Sequence, residues 1–352
     1  LAPLGLQVAW LSGKLKGKKR QEQLALITSG RAEVVIGTHA LFQKDVHFHR
    51  LGLVIIDEQH KFGVHQRLAL RQKGEDDGFL PHQLVMTATP IPRTLTMSMY
   101  ADMDCSVIDE LPPGRSPITT SVIADSRREE VVSHIEQACS QGAQAYWVCT
   151  LIDESEVLQC QAAETTAEQL TATLPDLKIG LVHGRMTPDD KASVMNLFKT
   201  GELNLLVATT VIEVGVDVPN ASLMVIDNSE RLGLAQLHQL RGRIGRGTNK
   251  SFCLLLYHPP LGITSKERLN VMRESQDGFF IAERDLEIRG PGEMFGSRQS
   301  GAVEFKLADL VRDSHMLTEI RPLADTMLEH DPVTAKALME RWLMSPQKLS
   351  QV

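Results

Sequence analysis

Two adjacent carboxylates, Asp57 and Glu58, end a short apolar run and could do phosphate chemistry. The run, Leu53 to Ile56, follows Gly52 and is typical of a strand buried on both faces of a parallel sheet. Ligands of open α/β sheets lie at the carboxyl ends of the strands, where this pair would stand. An acidic pair there can hold a divalent cation and aim a water molecule at a phosphate. Alternatively, Asp57 merely caps a following helix, and the two residues alone do not decide between these interpretations.

Threonines follow two other predicted strands. Thr38 precedes a helix that is expected to begin near Ala40, and a helix N-terminus with free N–H groups can bind phosphate. The simpler interpretation of Thr38 is a plain N-cap. Thr87 and Thr89 follow a strand of their own and are expected near Asp57, although both could be ordinary hydroxyls at a strand end.

The composition indicates an ordinary globular protein with two or three domains. The chain has 352 residues, of which 42% are hydrophobic and 23% are charged. No apolar stretch is long enough to span a membrane. The five cysteines are scattered without a CxxC pair, which favours reduced core residues of a cytoplasmic protein over a disulfide frame or zinc site.

The net charge of −7 argues against a general affinity for nucleic acid, so any basic contact surface must be local. Two clusters are candidates, one within residues 14–20 and one formed by Arg241, Arg243 and Arg246. Each could equally be a solvated face.

Strands and helices alternate twice along the chain, which predicts two doubly wound α/β lobes with parallel sheets. The segment Asp109–Pro117 (DELPPGRSP) separates them, because three prolines and a glycine cannot continue a helix or a central strand. In the second lobe a helix is expected over His238–Gly245, and Phe252–Leu256 is expected to close the sheet. The predicted divisions are a partial first lobe over residues 1–110, a hinge over 111–117, a second lobe over 118–260 and a helical C-terminal region over 261–352. The C-terminal region is expected to contain a long irregular loop over 277–301.

A phosphate-binding P-loop is missing from the sequence. The pattern requires GxxxxGK followed by Ser or Thr. Its nearest approach, Gly17-Lys18, is followed by Lys19, and Ser12 stands where the first glycine should be. The sequence therefore predicts a first lobe that is truncated and a chain that begins after the P-loop.

Five motifs occur in the order found in superfamily-2 helicases, whose lobes are RecA-like: GTHALFQ, DEQH, TATPIPRTL, VATTVIEVGVDVPNAS and HQLRGRIGRG. TATPIPRTL together with RDLEIRGPGEMFGSRQSG resembles the double-stranded-DNA translocases of the RecG and transcription-repair-coupling type. DEQHKFGVHQR, DELPPGRSP and RGPGEMFGSRQSG most resemble the RecG family. The transcription-repair coupling type is the alternative, although it is expected to have DEEH and to lack the DELPPGR segment.

The resemblance implies an ATP-dependent helicase that remodels branched double-stranded DNA such as stalled forks and Holliday junctions, with ATP and Mg²⁺ in a cleft between the lobes. Asp57 would bind Mg²⁺ through water, and Glu58 would orient and deprotonate the attacking water. Arg243 and Arg246, three residues apart and thus on one face of the expected helix, would act as arginine fingers beside Gln239.

The remaining roles also come from the resemblance. Glu213, Gly215 and Asp217 would form a loop that meets nucleotide and DNA, with Asp217 near the ribose. DNA contact or its coupling to ATP would involve Thr38, Thr87, Thr89, His183, Gly184, Thr209, Thr210, Arg284, Arg289 and Arg298. A competing hypothesis is that this chain by itself is a non-catalytic nucleic-acid-binding module, because the P-loop that anchors ATP is missing.

Overall fold

The computed structural model describes residues 2–58, 73, 80–88, 104–110, 115–150, 156–210, 218–247, 249–289, 312–313 and 316–342. Described residues up to 88 belong to one compact unit, and those from 104 to 342 belong to a second. Within these ranges, no helix has the length and apolar character needed to cross a membrane. The predicted hinge is described only from Arg115, since residues 111–114 lie outside these ranges.

The described residues of the first unit include two separate pairs of parallel strands and an α-helix. Its elements are β1 (Val8–Leu11), α1 (Gly17–Thr28), β2 (Val34–Gly37), β3 (Leu53–Ile56) and β4 (His82–Val85). Strand β1 pairs with β2, and β3 pairs with β4. Gly30 follows the end of this helix and adopts a φ of 71°, a conformation that favours glycine.

Strand β3 is buried on one face only, so the prediction of burial on both faces was wrong. Val54 and Ile56 are buried and pack with Phe42, Phe48 and Leu51. Leu53 and Ile55 point the other way and are 54% and 57% exposed. Side chains alternate along a strand, and on this second face no described element covers them. The continuous apolar run therefore predicted the strand correctly, but it did not predict that one face of the strand would be exposed.

The second unit is built on one parallel six-stranded sheet with the order β5-β10-β9-β6-β8-β7. Three of its four inner strands are buried along their whole length, as expected for a sheet covered on both faces. The strands are β5 (Ile118–Ala124), β6 (Gln144–Val148), β7 (Ile179–Val182), β8 (Leu205–Ala208), β9 (Ala221–Ile226) and β10 (Ser251–Tyr257).

Strand β10 lies inside the sheet, between β5 and β9, so the expectation that Phe252–Leu256 closes the sheet was wrong. The described edge on that side is β5, which the sequence analysis missed. Its sequence, ITTSVIA, begins directly after Pro117 and contains three hydroxyl residues, so it lacks a clear apolar pattern.

Helices cover both faces of this sheet and confirm the doubly wound α/β class. They are α2 (Arg128–Ser140), α3 (Glu156–Thr173), α4 (Pro188–Lys199), α5 (Leu234–Arg241), α6 (Ile263–Glu274) and α7 (Gly278–Arg289). Helices α2 and α3 pack in the cluster around Trp147, whereas α5, α6 and α7 pack with Tyr146 and Met224 on the opposite side. Two further helices, α8 (Leu317–His330) and α9 (Pro332–Trp342), confirm the helical C-terminal region.

The start of α4 shows how local sequence fixes a helix end. Thr187 is the N-cap, and its hydroxyl accepts a hydrogen bond from the Asp190 N–H at 3.2 Å. Pro188 occupies the first helical position, and Asp189 and Asp190 place negative charge in the first turn.

Candidate functional site

Asp57 and Glu58 follow β3 directly, and the backbone turns sharply between them. The Glu58 N–H donates to Asp57 Oδ1 at 2.8 Å. Glu58 has a φ of 53°, in the left-handed region that non-glycine residues adopt at a cost of about 1–3 kcal/mol. Such strain persists where the surrounding structure requires the conformation, and it is common at functional sites. Whether Asp57 also caps a helix lies outside the described residues, since these stop at Glu58.

The carboxyl ends of β3 and β4 meet at one edge of their sheet. Ile56 is paired with Val85, and the Met86 N–H donates to the Ile56 carbonyl at 2.7 Å. Because the strands are parallel, the backbone places Thr87 and Asp57 beyond the same edge. Thr89 lies outside the described residues.

Thr38 occupies an N-cap position, but its side chain makes no capping hydrogen bond. The helix that follows is a single 3-10 turn, His39–Phe42, rather than an α-helix. The preceding residue, Gly37, lies so close to β1 that an added Cβ would be 2.2 Å from the Leu11 carbonyl oxygen. The Thr38 N–H donates to that same carbonyl at 3.2 Å.

Lys73 anchors the loop after this turn and was missed by the sequence analysis. Its ammonium donates to the carbonyls of Leu41 and Val46, at 3.4 and 2.9 Å, and to that of Gln43. Arg20 donates to Asp45 Oδ2 at 2.7 Å, and this hydrogen bond lowers the pKa of the Asp45 carboxyl. Arg20, one member of the first basic cluster, is therefore engaged by protein acceptors.

In the second unit, two predicted DNA-contacting residues lie side by side at the carboxyl edge of the sheet. Val182 of β7 is paired with Ala208 of β8, and the Thr209 N–H donates to the Val182 carbonyl at 3.2 Å. His183 Nε2 lies 3.4 Å from Glu164 Oε1. Within the described part of the chain, His183 Nδ1 and Thr209 Oγ1 are buried without a hydrogen-bond partner. Buried polar atoms are usually paired, so these two are exceptions.

The next residues at this edge are already held by protein contacts. Gly184 accepts a hydrogen bond from the Lys191 ammonium at 2.7 Å through its carbonyl. Gln159 Nε2 donates to Thr210 Oγ1 at the long distance of 3.5 Å. The loop with Glu213, Gly215 and Asp217 lies outside the described residues.

Asp227, at the carboxyl end of β9, holds a polar cluster that the sequence analysis did not identify. Arg128 Nη1 donates to Asp227 Oδ1 at 2.7 Å, and Trp147 Nε1 donates to Asp227 Oδ2 at 2.8 Å. The Arg128 guanidinium also lies 4.6 Å from the centre of the Trp147 ring. These groups satisfy each other, so the cluster stabilises the fold of the strand ends.

The helix that carries Gln239 ends at Arg241, so the prediction of a helix through Gly245 was wrong. Arg243 and Arg246 lie in the turn that follows, and their three-residue spacing does not place them on one helical face. Gly245 adopts a φ of 74°, which a helix continuing to this residue could not contain, and an added Cβ there would lie 3.0 Å from Ile118 Cγ1. The two arginines remain close in sequence within one compact turn.

Arg241 is a structural residue, although the sequence analysis placed it in a basic cluster. It is 2% exposed. Its Nη1 donates to the carbonyls of Met272 and Ser275 at 2.9 and 2.8 Å, which fastens α5 to α6. Its Nη2 contacts His238 Nδ1 at 3.1 Å. Burial, followed by the Arg241 charge, lowers the pKa of His238 to about 4.

Residues 278–289 form α7, so the irregular loop predicted over 277–301 was wrong in its first half. Ile281, Asp285 and Ile288 share one helical face, but the buried aspartate obscures the apolar pattern. Arg289 Nε donates to Asp285 Oδ1 at 3.0 Å and compensates this charge. The segment 290–301, including Arg298, lies outside the described residues.

Both described arginines of the predicted coupling motif therefore lie on α7. Arg284 pairs with Glu287 and lies 3.6 Å from Glu267 of α6. Arg289 reaches over Gly233 at the start of α5, where an added Cβ would lie 2.1 Å from its Nη2. Helix α7 is thereby in contact with the helix that carries Gln239.

The carboxylate of Asp57 fits a Mg²⁺ ion held largely by water and phosphate. It is exposed at a strand end, and its chemistry is that of the oxygen ligands Mg²⁺ prefers. Among the described residues, no three His, Cys, Asp or Glu side chains form a cluster that could hold a metal. One carboxylate with water and phosphate oxygens is a usual arrangement for Mg²⁺.

Three family models match the chain in succession. They are DEAD/DEAH box helicase over residues 1–98, helicase conserved C-terminal domain over 128–248, and ATP-dependent DNA helicase RecG, domain 3, C-terminal, over 275–349.

Named relatives agree with these matches. The chain is 62% identical to ATP-dependent DNA helicase RecG of Escherichia coli strain K12 over 350 residues, covering 99% of this chain and 50% of the relative. The protein of the same name from Haemophilus influenzae is 62% identical over 342 residues, covering 97% and 49%. A solved structure of RecG bound to a three-way DNA junction is 43% identical, has a TM-score of 0.64 and covers 89% of this chain and 40% of that one. The chain thus spans about half the length of the curated relatives it matches.

Proposed function

Since this chain belongs to the RecG family of ATP-dependent DNA helicases, we propose that the intact protein is itself such a helicase and remodels branched double-stranded DNA. Stalled forks and Holliday junctions in DNA repair and recombination are the proposed substrates. The observation that carries this proposal is the likeness to RecG bound to a three-way DNA junction, at 43% identity over 89% of this chain. The relatives favour this family over the transcription-repair coupling type. A cytoplasmic location is part of the proposal, because ATP and chromosomal DNA are found there.

ATP and Mg²⁺ are the proposed cofactors, and Asp57 and Glu58 are the proposed catalytic carboxylates. Asp57 would hold Mg²⁺ through water, and the ion would neutralise charge on the phosphates. Glu58 would orient the attacking water and accept its proton. The left-handed backbone of Glu58 supports separate tasks for the two adjacent side chains, because it changes the direction of the chain between them.

The second unit would supply the remaining groups for hydrolysis. Arg243 and Arg246 would stabilise the charge that develops on the transferred phosphoryl group, with Gln239 beside them. An arginine in this role contributes about 10³–10⁵ in rate. Gly215 would approach the nucleotide, and Asp217 would bind the ribose.

DNA contacts would be made to the phosphate backbone, which suits a protein that moves along any sequence. His183, Gly184, Thr209 and Thr210 would form part of this contact in the second unit. In the first unit the proposed contact and coupling residues are Thr38, Thr87 and Thr89, and movement of the duplex would be coupled through Arg284, Arg289 and Arg298.

The test is the substitution Glu58→Gln in the intact protein. Glutamine keeps the size of the side chain but cannot accept a proton, so DNA-stimulated ATP hydrolysis should fall by about 10²-fold or more. Binding of ATP and of a three-way junction should be retained. Glu22→Gln is the matched control, because Glu22 is an exposed glutamate on α1 of the same unit. Undiminished turnover in Glu58→Gln would remove Glu58 from catalysis.

A further inference from the structure

Arg115, near the end of the proline-rich segment Asp109–Pro117, contacts the turn that carries Arg243 and Arg246. Its Nη2 donates to the Gly242 carbonyl at 3.2 Å. Gly242 is the C-cap of α5, and the last carbonyls of a helix have no partner within the helix. A guanidinium at this end satisfies one of these carbonyls and matches the negative end of the helix dipole.

Packing holds the same two segments together. Gly245 is buried and contacts the residues that follow Arg115, so that an added Cβ would lie 3.0 Å from Ile118 Cγ1 and 3.7 Å from the Ser116 carbonyl oxygen. The Ile118 N–H in turn donates to Gln276 Oε1 at 2.9 Å, between α6 and α7. The position of Arg115 is therefore fixed by the sheet and by the α6–α7 junction.

Electrostatics add a second reason to connect Arg115 with this turn. Burial, followed by the positive charge of Arg246, lowers the pKa of Arg115. Two guanidinium groups that repel each other are stabilised when an anion binds beside them. A phosphate bound near Arg246 would therefore stabilise the arrangement in which Arg115 lies close to Arg246 and donates to the Gly242 carbonyl.

From this geometry we infer that Arg115 is a positioning residue for ATP hydrolysis: it holds the Gly242–Arg246 turn so that Arg243 and Arg246 are presented to the nucleotide. The inference rests on the proposed roles of these two arginines. The proline-rich segment would then do more than connect parts of the chain. A change in its path would move Arg115, which is hydrogen-bonded to the Gly242–Arg246 turn.

The test compares Arg115→Met, Arg115→Lys and Arg127→Met in the intact protein. Methionine keeps the length of the side chain but removes the donor and the charge, so the kcat of DNA-stimulated ATP hydrolysis should fall about 10-fold, as for loss of one charge-assisted hydrogen bond. The KM for ATP should stay within about twofold, and Tm should fall by only a few degrees, because one hydrogen bond is lost while the fold keeps its packing. Lysine keeps a donor and a charge and should restore at least about a third of the lost kcat.

Arg127→Met is the matched control, because it removes an exposed arginine whose hydrogen-bond partner among the described residues is Glu130 of α2. It should leave kcat unchanged. The inference is overturned if Arg115→Met retains kcat within about twofold, or if its loss of kcat is accompanied by a fall in Tm of more than a few degrees and is not reduced by lysine.

Arg246→Ala and Glu58→Gln are measured in parallel. If both retain hydrolysis, the proposed function fails. If both lose it while Arg115→Met does not, only the role of Arg115 is refuted.

Discussion

Acidification should destabilise the second unit through a single histidine, His238. Its ring is largely buried on α5, and its Nδ1 contacts Arg241 Nη2 at 3.1 Å. A guanidinium can only donate, so Nδ1 must accept and must be unprotonated. Burial is the main cause that lowers the pKa of His238 from its ordinary value of 6.5 to about 4, and the Arg241 charge adds to it.

The sign and size of the effect follow from these two values. Between pH 6.5 and pH 4 the unfolded chain binds a proton at His238 and the folded protein does not, so stability falls as the pH is lowered. Integration from pH 7.5 to pH 5 gives a loss of about 2 kcal/mol from this group. The loss would be complete below about pH 4, where both states are protonated.

The assay is urea denaturation of the chain at pH 7.5 and pH 5, followed by Trp147 fluorescence. Trp147 is fully buried in the second unit and reports its unfolding, provided that Trp10 and Trp342 are replaced by phenylalanine. His238→Asn is the comparison variant, since its amide oxygen can accept from Arg241 in place of Nδ1 and does not titrate.

Other groups also titrate between these pH values, so the difference between the two proteins is the decisive quantity. The loss of unfolding free energy should be about 2 kcal/mol smaller in His238→Asn than in the parent chain. Equal losses in the two proteins would show that His238 is not kept neutral by the fold, and the electrostatic argument would be refuted.

Two further predictions concern the first unit and the chain by itself. Gly37→Ala should destabilise the first unit by about 1–3 kcal/mol in denaturation followed by Trp10 fluorescence, because its Cβ would lie 2.2 Å from the Leu11 carbonyl oxygen. Gly13→Ala, with no heavy atom within 4 Å of its Cβ, is the control, and an equal effect would contradict this explanation. The 352-residue chain alone should show little or no DNA-stimulated ATP hydrolysis, because its sequence has no P-loop, whereas the intact protein should hydrolyse ATP under the same conditions. Robust turnover by the chain would contradict the interpretation that the P-loop is needed and missing.

The sequence predicted the strands of the second unit well wherever several apolar residues follow one another. Strands β6, β8 and β9 are of this kind, because a strand covered on both faces needs apolar residues at successive positions. Strand β5 was missed because its threonines and serine give no such run. Its position depends on pairing with β10, which lies more than a hundred residues away in sequence and cannot be inferred from local pattern.

The sequence indicates which residue types could form the candidate site, but it does not indicate how they are arranged. The path of the chain after α5 depends on Gly245 and its contact with Ile118, which is a tertiary contact that helix spacing does not reveal. Helix α7 was missed because the charge of Asp285 interrupts its apolar face, although Arg289 pairs with that charge. In both cases the local structure depends on a contact that a glycine or a charged residue makes with another residue of the fold, and the apolar pattern of the sequence does not show this contact.

Internal contacts of the arginines limit the part this chain could take in the proposed DNA binding. Arg20 and Arg128 are paired with the carboxylates of Asp45 and Asp227, and Arg241 is 2% exposed and donates to carbonyls, so the positive charges of these three are engaged within the protein. Arg268 likewise donates to the Leu232 and Glu230 carbonyls. With a net charge of −7, contacts through hydroxyl groups, backbone N–H groups and a small number of cations are favoured over a broad basic surface. The contribution of this chain to DNA binding should therefore depend less steeply on salt concentration than its arginine content suggests, because the steepness follows the number of phosphates neutralised.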